Sequence, residues 1–589
     1  MKKEKRLITS ALTYVNNIPH VGHIVGCHLP ADIFARFCRS YGYDTTYVGG
    51  SDMHGTPSLM TAQELGLPVE VLTEELHKIH KKIYEKLGIS YDIYSNTHTK
   101  THEEITDNFF KTLYENGYIN EGETEMYYCE KDKMFLPDRY VVGTCPHCGF
   151  TGASGDQCEK CDSLLSPTDL VDARCKICGE KAKLKKSKHI FLILSKGTDK
   201  LSKWVEEKKD IFRPHVYAEA KKWIQEGLKD RCISRDIKWG FPVPLEGYKD
   251  KVFYVWFDAP IGYISITKEL SEQKYKDLWC DKTAKIYNFV GKDNIQFHTV
   301  FFPTMLLENG KYNLPYNVVG LNFLNYEGQK FSKSKKIGVF CNALLNDDDK
   351  IDIDTLRAYL TTIIPENRDT DYKWEDYKNN TNSELVGKFG NLFNRSLNML
   401  KSYFNSVNDF DPESEYEKNA LDLEIIDAIK TMPQKIADAF DKAELRDAYK
   451  LIMNYAVIGN GYVEKSAPWA LMKAEKQEEA KKVLCLALNL CASLCICASP
   501  IIPNKTQKLW AEQLGLGGDV TSPNMWEKAS EYNIKKGHKI GTITPIFERI
   551  DDEKLANFKE IMSQPFDIKD FFSTKKVNVT KKLKNKSHF

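Results

Sequence analysis

The chain has 589 residues, 42% of them hydrophobic and 12% aromatic, and a formal net charge of +1. That length is too great for one core, so several domains are expected, with the apolar content of a globular, soluble protein. The near-zero charge gives no hint of nucleic acid but excludes nothing, since a local patch can bind phosphate, and the basic start Met1–Arg6 lacks the apolar stretch and cleavage site of a signal peptide. No run is read as approaching a membrane span, so the cytosol is the expected compartment.

Residues 7–15 read as a short buried strand, 16–19 as a turn, 22–41 as a helix and 44–50 as a second strand with a Gly-rich exit. Strand, helix and strand in this order predict a parallel α/β nucleotide fold. Residues 58–118 read as helical. Near Gly122 the composition shifts, and Cys, Gly and Asp are frequent to about Gly179, which predicts a small metal-stapled insertion. Strand-like apolar runs return at Val252–Asp258, Ile286–Val290 and Tyr316–Gly320. From about Asp376 to Glu512 the apolar period is helical, and Val483–Cys497 is apolar around most of its circumference, as in a bundle core. Cys485, Cys491, Cys495 and Cys497 in that run read as small buried hydrophobes. The Lys-rich stretch from Thr574 to Phe589 reads as a tail.

Two short segments carry chemistry. Pro19-His20-Val21-Gly22-His23 lies at a strand-to-helix turn, where free N–H groups and the dipole suit phosphate and two imidazoles can donate to its oxygens. Alone, it is more often a turn glycine with incidental histidines. Gly328-Gln329-Lys330-Phe331-Ser332-Lys333-Ser334-Lys335-Lys336 is a cationic loop able to close on a triphosphate. Alone, it is more often a solvated basic loop. Together, in this order and separated by an interrupted α/β region, they resemble the paired HIGH and KMSKS signatures of the class I aminoacyl-tRNA synthetases, and the likeness runs from Leu7 to about Asp551. Phe331 stands where methionine is usual.

Further segments resemble the methionyl-tRNA synthetases: Ala11–Tyr14, Asp52–Pro57, Tyr254–Tyr263, Gly291–Asp293 and Phe297-His298. Thr13 departs from a frequent proline, and Val319-Gly320 from a frequent His-Gly. The resemblance implies that Asp52 pairs with the methionine ammonium. It implies a side-chain pocket of Leu12, Tyr14, Trp256, Ala259, Pro260, Tyr263, Phe297 and His298, where sulfur over aromatic rings is favourable by ~0.3–1.5 kcal/mol per contact. It implies ATP at His20, Gly22, His23, Lys292, Asp293, Ser332 and Lys333, with Lys330 and Arg235 as further cations during activation and Mg2+ accompanying the nucleotide. Methionine differs enough in shape from its competitors that no large editing domain is required.

Cys145-Pro146-His147-Cys148, nine residues, then Cys158-Glu159-Lys160-Cys161 is the spacing of a structural zinc site. Cys175-Lys176-Ile177-Cys178 and Cys129-Glu130-Lys131-Asp132 predict a second zinc, with one carboxylate ligand; the alternative is a single zinc and a vestigial knuckle. In the helical region, Asn391 and Arg395 share a helix face, and with Pro468-Trp469 they resemble the family's anticodon site, with Asn460 and Tyr462 as possible helpers.

The fold class expected is thus a Rossmann-like α/β catalytic domain split by a zinc-binding insertion and followed by a helical anticodon-binding bundle. The divisions expected are 1–118 and 246–325 for the two catalytic halves, 119–245 for the insertion, 326–375 for the KFSKS and stem-contact region, 376–552 for the bundle and 553–589 for the tail. The partners implied are L-methionine, ATP and tRNA(Met), initiator and elongator. The chain ends before an appended β-barrel module, so a monomer is expected. The rivals are another class I synthetase, for cysteine, leucine, isoleucine or valine, and a non-catalytic zinc-bearing RNA-binding protein.

Overall fold

The computed structural model describes residues 4–574 except 137, 156–157, 162, 164, 332–336 and 347–350. Its catalytic half is built on a parallel sheet: β1 (Lys5–Ser10), β2 (Thr13–Tyr14), β3 (Asp44–Asp52), β4 (Ile93–Asn96), β5 (Lys285–Gly291) and β6 (Asn317–Leu321). Across the sheet the order is β6-β5-β1-β3, with β2 and β4 both paired to β3. Leu7–Ser10, Thr46–Asp52 and Ile286–Val290 are buried, which is why these strands read as apolar runs: helices cover both faces of the sheet. From β1 the chain crosses to β3 on one side, while β5 and β6 extend the sheet on the other. Strand order therefore reverses between β1 and β5, and the crevice beyond their carboxyl ends is where such sheets bind ligands.

The crossover from β2 to β3 ends in α1 (Leu29–Tyr41), which buries ten residues between the sheet and the helical half and stops at Gly42, whose φ of 103° closes the helix. Between Asn96 and Lys285 the sheet is interrupted. The strands Ile119–Cys129 and Lys183–Leu192 form a long antiparallel ribbon, and the cysteine turns sit at its end with a separate small core around Tyr140 and Val141.

The second half is helical, with α2 (Asn391–Phe404), α3 (Ala420–Asp441), α4 (Leu445–Ser466) and α5 (Gln477–Ala498). α5 is the axis of this bundle, buried continuously from Val483 to Ala498, its four cysteines included. Contrary to the sequence reading, one helix does match a membrane span in length and apolarity: α5, with a mean hydropathy of 1.7 over a window that is 94% buried inside the protein. A helix apolar on every side needs neighbours on every side, and α2, α3 and α4 supply them. The two halves are tied by Arg357, fully buried, which donates to Asp32 Oδ2 on α1 (2.7 Å) and to the carbonyls of Pro500 (3.1 Å) and Ile501 (2.9 Å).

Two further readings are corrected. The run Val252–Asp258 is a strand only at Val252–Phe253, paired with Ser234–Arg235 outside the main sheet; Val255–Asp258 is a helical turn. β4 lies inside 58–118, read as wholly helical. It is four residues long and only partly buried, too short for alternation to show.

Candidate active site, metal clusters and RNA-facing end

His20 caps the short helix Val21–His23. The Gly22 N–H donates to His20 Nδ1 (3.0 Å) and the His20 N–H donates to His23 Nδ1 (3.2 Å). With both Nδ1 atoms accepting, each neutral ring carries its proton on Nε2. A Cβ on Gly22 would lie 2.8 Å from His20 Cε1, so any side chain there would have to displace the His20 ring. Phe331 stacks on His20, ring centroids 4.6 Å apart and 10° from parallel. Beyond the loop, the Val21 N–H donates to Val339 O (3.0 Å), and Phe340 forms an isolated bridge to His20. The two signatures, over three hundred positions apart, meet at the crevice. Ser332 and Lys333 lie outside the described residues; Lys330 is exposed beside Phe331.

The register Tyr14↔Asp52 sets the pocket's anionic end at the carboxyl end of β3. Asp52 is 4% exposed, and its Oδ1 has no hydrogen-bond partner among the described residues. Burial, then the nearby Asp258 carboxylate, lifts Asp52 well above the usual carboxylate range. The carboxyl also meets the His54 backbone N–H and the Thr97 side chain, but its buried, unpaired Oδ1 leaves room for one more donor, as a cation such as an ammonium would supply. Around it, Leu12 packs on Gly262 and Tyr14 on Gly55. Trp256 stacks on Phe297 with centroids 3.6 Å apart and planes 4° from parallel. Ala259, Pro260 and Tyr263 are buried on the turn and helix that follow.

His298 Nδ1–H donates to Asn294 O (2.9 Å), so its Nε2 accepts from the Tyr263 hydroxyl (2.9 Å). Burial pushes the His298 pKa down to about 4, and burial likewise raises that of Tyr263. Both are neutral at pH 7. Lys292 and Asp293 occupy the exposed turn just past β5. Arg235 lies with its guanidinium 3.7 Å over the Tyr254 ring and donates from Nη1 to the carbonyls of Cys232 and Ser234.

Sequence reasoning missed the support behind this pocket. His54 Nδ1 meets Asp258 Oδ2 at 2.6 Å, and its Nε2 meets His98 Nδ1 at 2.9 Å. Trp239 Nε1 donates to Met53 O (2.6 Å). His54 and Asp258 both sit in the segments that carry the resemblance, but they are 204 positions apart and no local pattern links them.

The two ligand sets assemble as four-atom clusters, each with all its atoms within 4.8 Å of one another. Cys145 and Cys161 Sγ are 3.8 Å apart, Cys148 and Cys158 3.6 Å. Corners of a tetrahedron with 2.3 Å metal–sulfur bonds lie ~3.8 Å apart, so the donors fit zinc. In the second set Asp132 Oδ2 is 3.1 Å from both Cys129 and Cys175 Sγ, and Cys129 is 3.4 Å from Cys178. Gly149 and Gly179, one residue past their CxxC turns, have φ of 71° and 75°. Lys133, one residue past Asp132, has φ of 51°. The CxxD turn therefore keeps the backbone of a CxxC knuckle without its glycine.

At the far end of the bundle, Asn391 Nδ2 donates to Asn460 Oδ1 (2.9 Å), and Arg395 Nη2 pairs with Glu464 Oε2 (2.6 Å). The Arg395 guanidinium lies 5.4 Å from the Trp469 ring centroid, and Pro468 is buried beneath. Tyr462 does not reach this surface: it is buried, and its hydroxyl donates to Asp422 Oδ1 (2.8 Å). Glu464 was not foreseen; the signal was its place one helical turn beyond Asn460.

A doubly wound parallel sheet with a His-Val-Gly-His turn at its switch point, Phe331 stacked on that turn, and a helical bundle after it define a class I tRNA synthetase. The family described as tRNA synthetases class I (M) matches residues 6–397, and the anticodon binding domain of methionyl tRNA ligase matches residues 412–565. The methionine--tRNA ligase of Parabacteroides distasonis is 41% identical over 552 residues, covering 93% of this chain and 79% of that one. That of Sulfolobus acidocaldarius is 40% identical over 570 residues, covering 95% and 98%. The fold matches Mycobacterium tuberculosis methionyl-tRNA synthetase in complex with methionyl-adenylate, with a TM-score of 0.76, 24% identity and coverage of 93% of this chain and all of that one. The chain belongs to the methionine--tRNA ligase family. Its reaction activates methionine with ATP to methionyl-adenylate and pyrophosphate, then transfers the methionyl group to the 3′ end of tRNA.

Proposed function

We propose that methionine binds with its ammonium on Asp52 and its side chain between Leu12, Tyr14, Trp256, Ala259, Pro260, Tyr263, Phe297 and His298. The observation that carries this reading is the buried Asp52 Oδ1, without a hydrogen-bond partner among the described residues, at the carboxyl end of β3 and close to Asp258 and Tyr263. His20, Gly22 and His23 hold the ATP phosphates, Lys292 and Asp293 lie toward the ribose, and Arg235, Lys330, Ser332 and Lys333 complete the nucleotide's surroundings. The methionine carboxylate attacks the α-phosphate in line; the imidazole Nε2–H groups and the lysines stabilise charge moving to the leaving pyrophosphate. Mg2+ arrives with ATP and neutralises part of that charge when bound. No covalent enzyme intermediate is needed: positioning and electrostatics suffice.

Residues 1–118 and 246–325 form the catalytic domain, 119–245 the insertion, 326–375 the loop and stem-contact region, 376–552 the anticodon-binding bundle and 553–589 the tail. Cys145, Cys148, Cys158 and Cys161 would hold one Zn2+ and Cys129, Asp132, Cys175 and Cys178 a second, the two ions stapling the insertion. Asn391, Arg395, Pro468 and Trp469 read the anticodon, with the indole as a stacking platform. The enzyme acts as a cytoplasmic monomer on initiator and elongator tRNA(Met).

The Lys333→Ala variant tests the catalytic reading: methionine-dependent pyrophosphate exchange should vanish while tRNA binding by filter retention stays near wild type. Survival of exchange would remove the loop from the mechanism. Metal analysis of undialysed protein should return two zinc ions per chain, and one after Asp132→Ala.

A further inference from the structure

Helix α4 joins the two working ends of the molecule. Its last turns carry Asn460 and Glu464, which hold Asn391 and Arg395. Its 22 residues span about 33 Å at 1.5 Å per residue. Its first N–H groups do not meet a local capping side chain. They meet Glu366, 79 positions earlier, whose Oε1 accepts from Leu445 N (2.8 Å) and Arg446 N (3.2 Å). Glu366 is 5% exposed and faces Arg213, with Nη2 to Oε1 at 3.9 Å.

Arg213 reaches in two directions. Nη2 donates to Ala443 O (2.7 Å), in the turn between α3 and α4, and Nη1 donates to Gly320 O (3.3 Å), at the carboxyl end of β6. His215 Nε2 also lies 3.2 Å from Gly320 O. Gly320 pairs with Val290 in the sheet register, one residue before the Gly291–Lys292–Asp293 turn. It has no spare room: a Cβ there would lie 2.6 Å from Val216 Cγ2 and 2.9 Å from Ile295 Cδ1. Ala443 sits at φ 56°, a conformation rare for a residue with a side chain. A planar guanidinium with fixed fork geometry thus bridges a carbonyl at the nucleotide end of the sheet to a carbonyl at the start of α4. Neither carbonyl can shift along the fork without weakening one of the two bonds.

We infer that Arg213 and Glu366 are positioning residues that link occupancy of the RNA-facing end of α4 to the nucleotide end of the catalytic sheet. This rests on the anticodon reading given above only for where the RNA engages α4. Between them they carry a change in the seating of α4 to the β6 edge of the crevice, so part of the anticodon's effect is on turnover rather than binding. Arg213→Lys keeps the charge but loses the fork, and Glu366→Gln keeps an acceptor for the helix N–H groups but loses the charge facing Arg213.

The test is steady-state aminoacylation with two transcripts, tRNA(Met) and the same tRNA with its anticodon replaced, scored separately in kcat and KM. In the wild type, replacement should lower kcat about 10-fold or more and also raise KM. In Arg213→Lys and Glu366→Gln the kcat ratio between transcripts should shrink to about 3-fold or less, while the KM ratio persists. The inference is overturned if both variants keep the wild-type kcat ratio within about 2-fold, or if the wild type discriminates through KM alone. A Trp469→Ala variant that retains full discrimination would instead remove the anticodon assignment, leaving the joint to be judged on the transcripts.

Discussion

The proposed methionine pocket and the proposed RNA-facing end of α4 hold their polar groups by opposite means. In the first, the Asp52 carboxyl is buried with one oxygen unpaired among the described residues, and the polar groups around it are locked to one another: Tyr263 to His298, His54 to Asp258 and His98. At the far end the groups are accessible and already paired, Arg395 with Glu464, which is 64% exposed, and Asn391 with Asn460. A buried site preorganised for one small cation gains selectivity because a wrong ligand leaves the carboxylate unsatisfied. An exposed site whose groups exchange one partner for another loses little on release, as an enzyme that must let go of a large RNA requires.

Five measurements would break or sharpen that contrast. Asp52→Asn should produce the largest effect, a loss of about 10³-fold in kcat/KM for methionine in pyrophosphate exchange, since a desolvated charge partner is worth 2–5 kcal/mol; a loss under about 10-fold would mean that the ammonium sits elsewhere. The wild-type affinity for methionine should also weaken as pH falls, because the ammonium binds only the ionised form of a carboxyl whose pKa burial has raised.

The next concerns His298, neutral when folded with a pKa of about 4, against about 6.5 unfolded. The unfolded state binds the extra proton first, so this group's contribution is complete above about pH 6.5 and is lost as pH falls toward 4, by roughly 3 kcal/mol. Urea midpoints across that window should flatten in His298→Gln. Trp469→Ala should cost aminoacylation about 30-fold, the worth of one stacked base, and leave tRNA-free pyrophosphate exchange unchanged. Glu464→Gln should move least, lowering the KM for tRNA about 2-fold by releasing Arg395 from a rim ion pair; a 30-fold change there would show that the far end is as tightly built as the pocket.

Much of this was legible in the sequence because its chemistry is local. The strands around Leu7 and Ile286 are buried on both faces and so read as apolar runs, and α5 betrays its central place by being apolar all round. The cysteine turns announce their geometry by spacing, even where Asp132 replaces a thiolate. What escaped was non-local or too short: the four-residue β4, the helical turn Val255–Asp258 inside an apolar run, and pairs such as His54–Asp258 and Arg213–Ala443 that only the folded topology brings together. The departure at Val319-Gly320 gains a physical setting only in three dimensions, where His215, on the helix Pro214–Gln225, reaches the Gly320 carbonyl on β6.

The burial of α5 has a consequence for biosynthesis. Outside its bundle this segment would present the hydropathy of a bilayer-crossing helix. In a nascent chain α2, α3 and α4 emerge before it, so a groove awaits it on release from the ribosome. Any change that delays those three helices exposes a sticky rod to insertion machinery and to other unfolded chains, and yield during synthesis would fall before catalysis did.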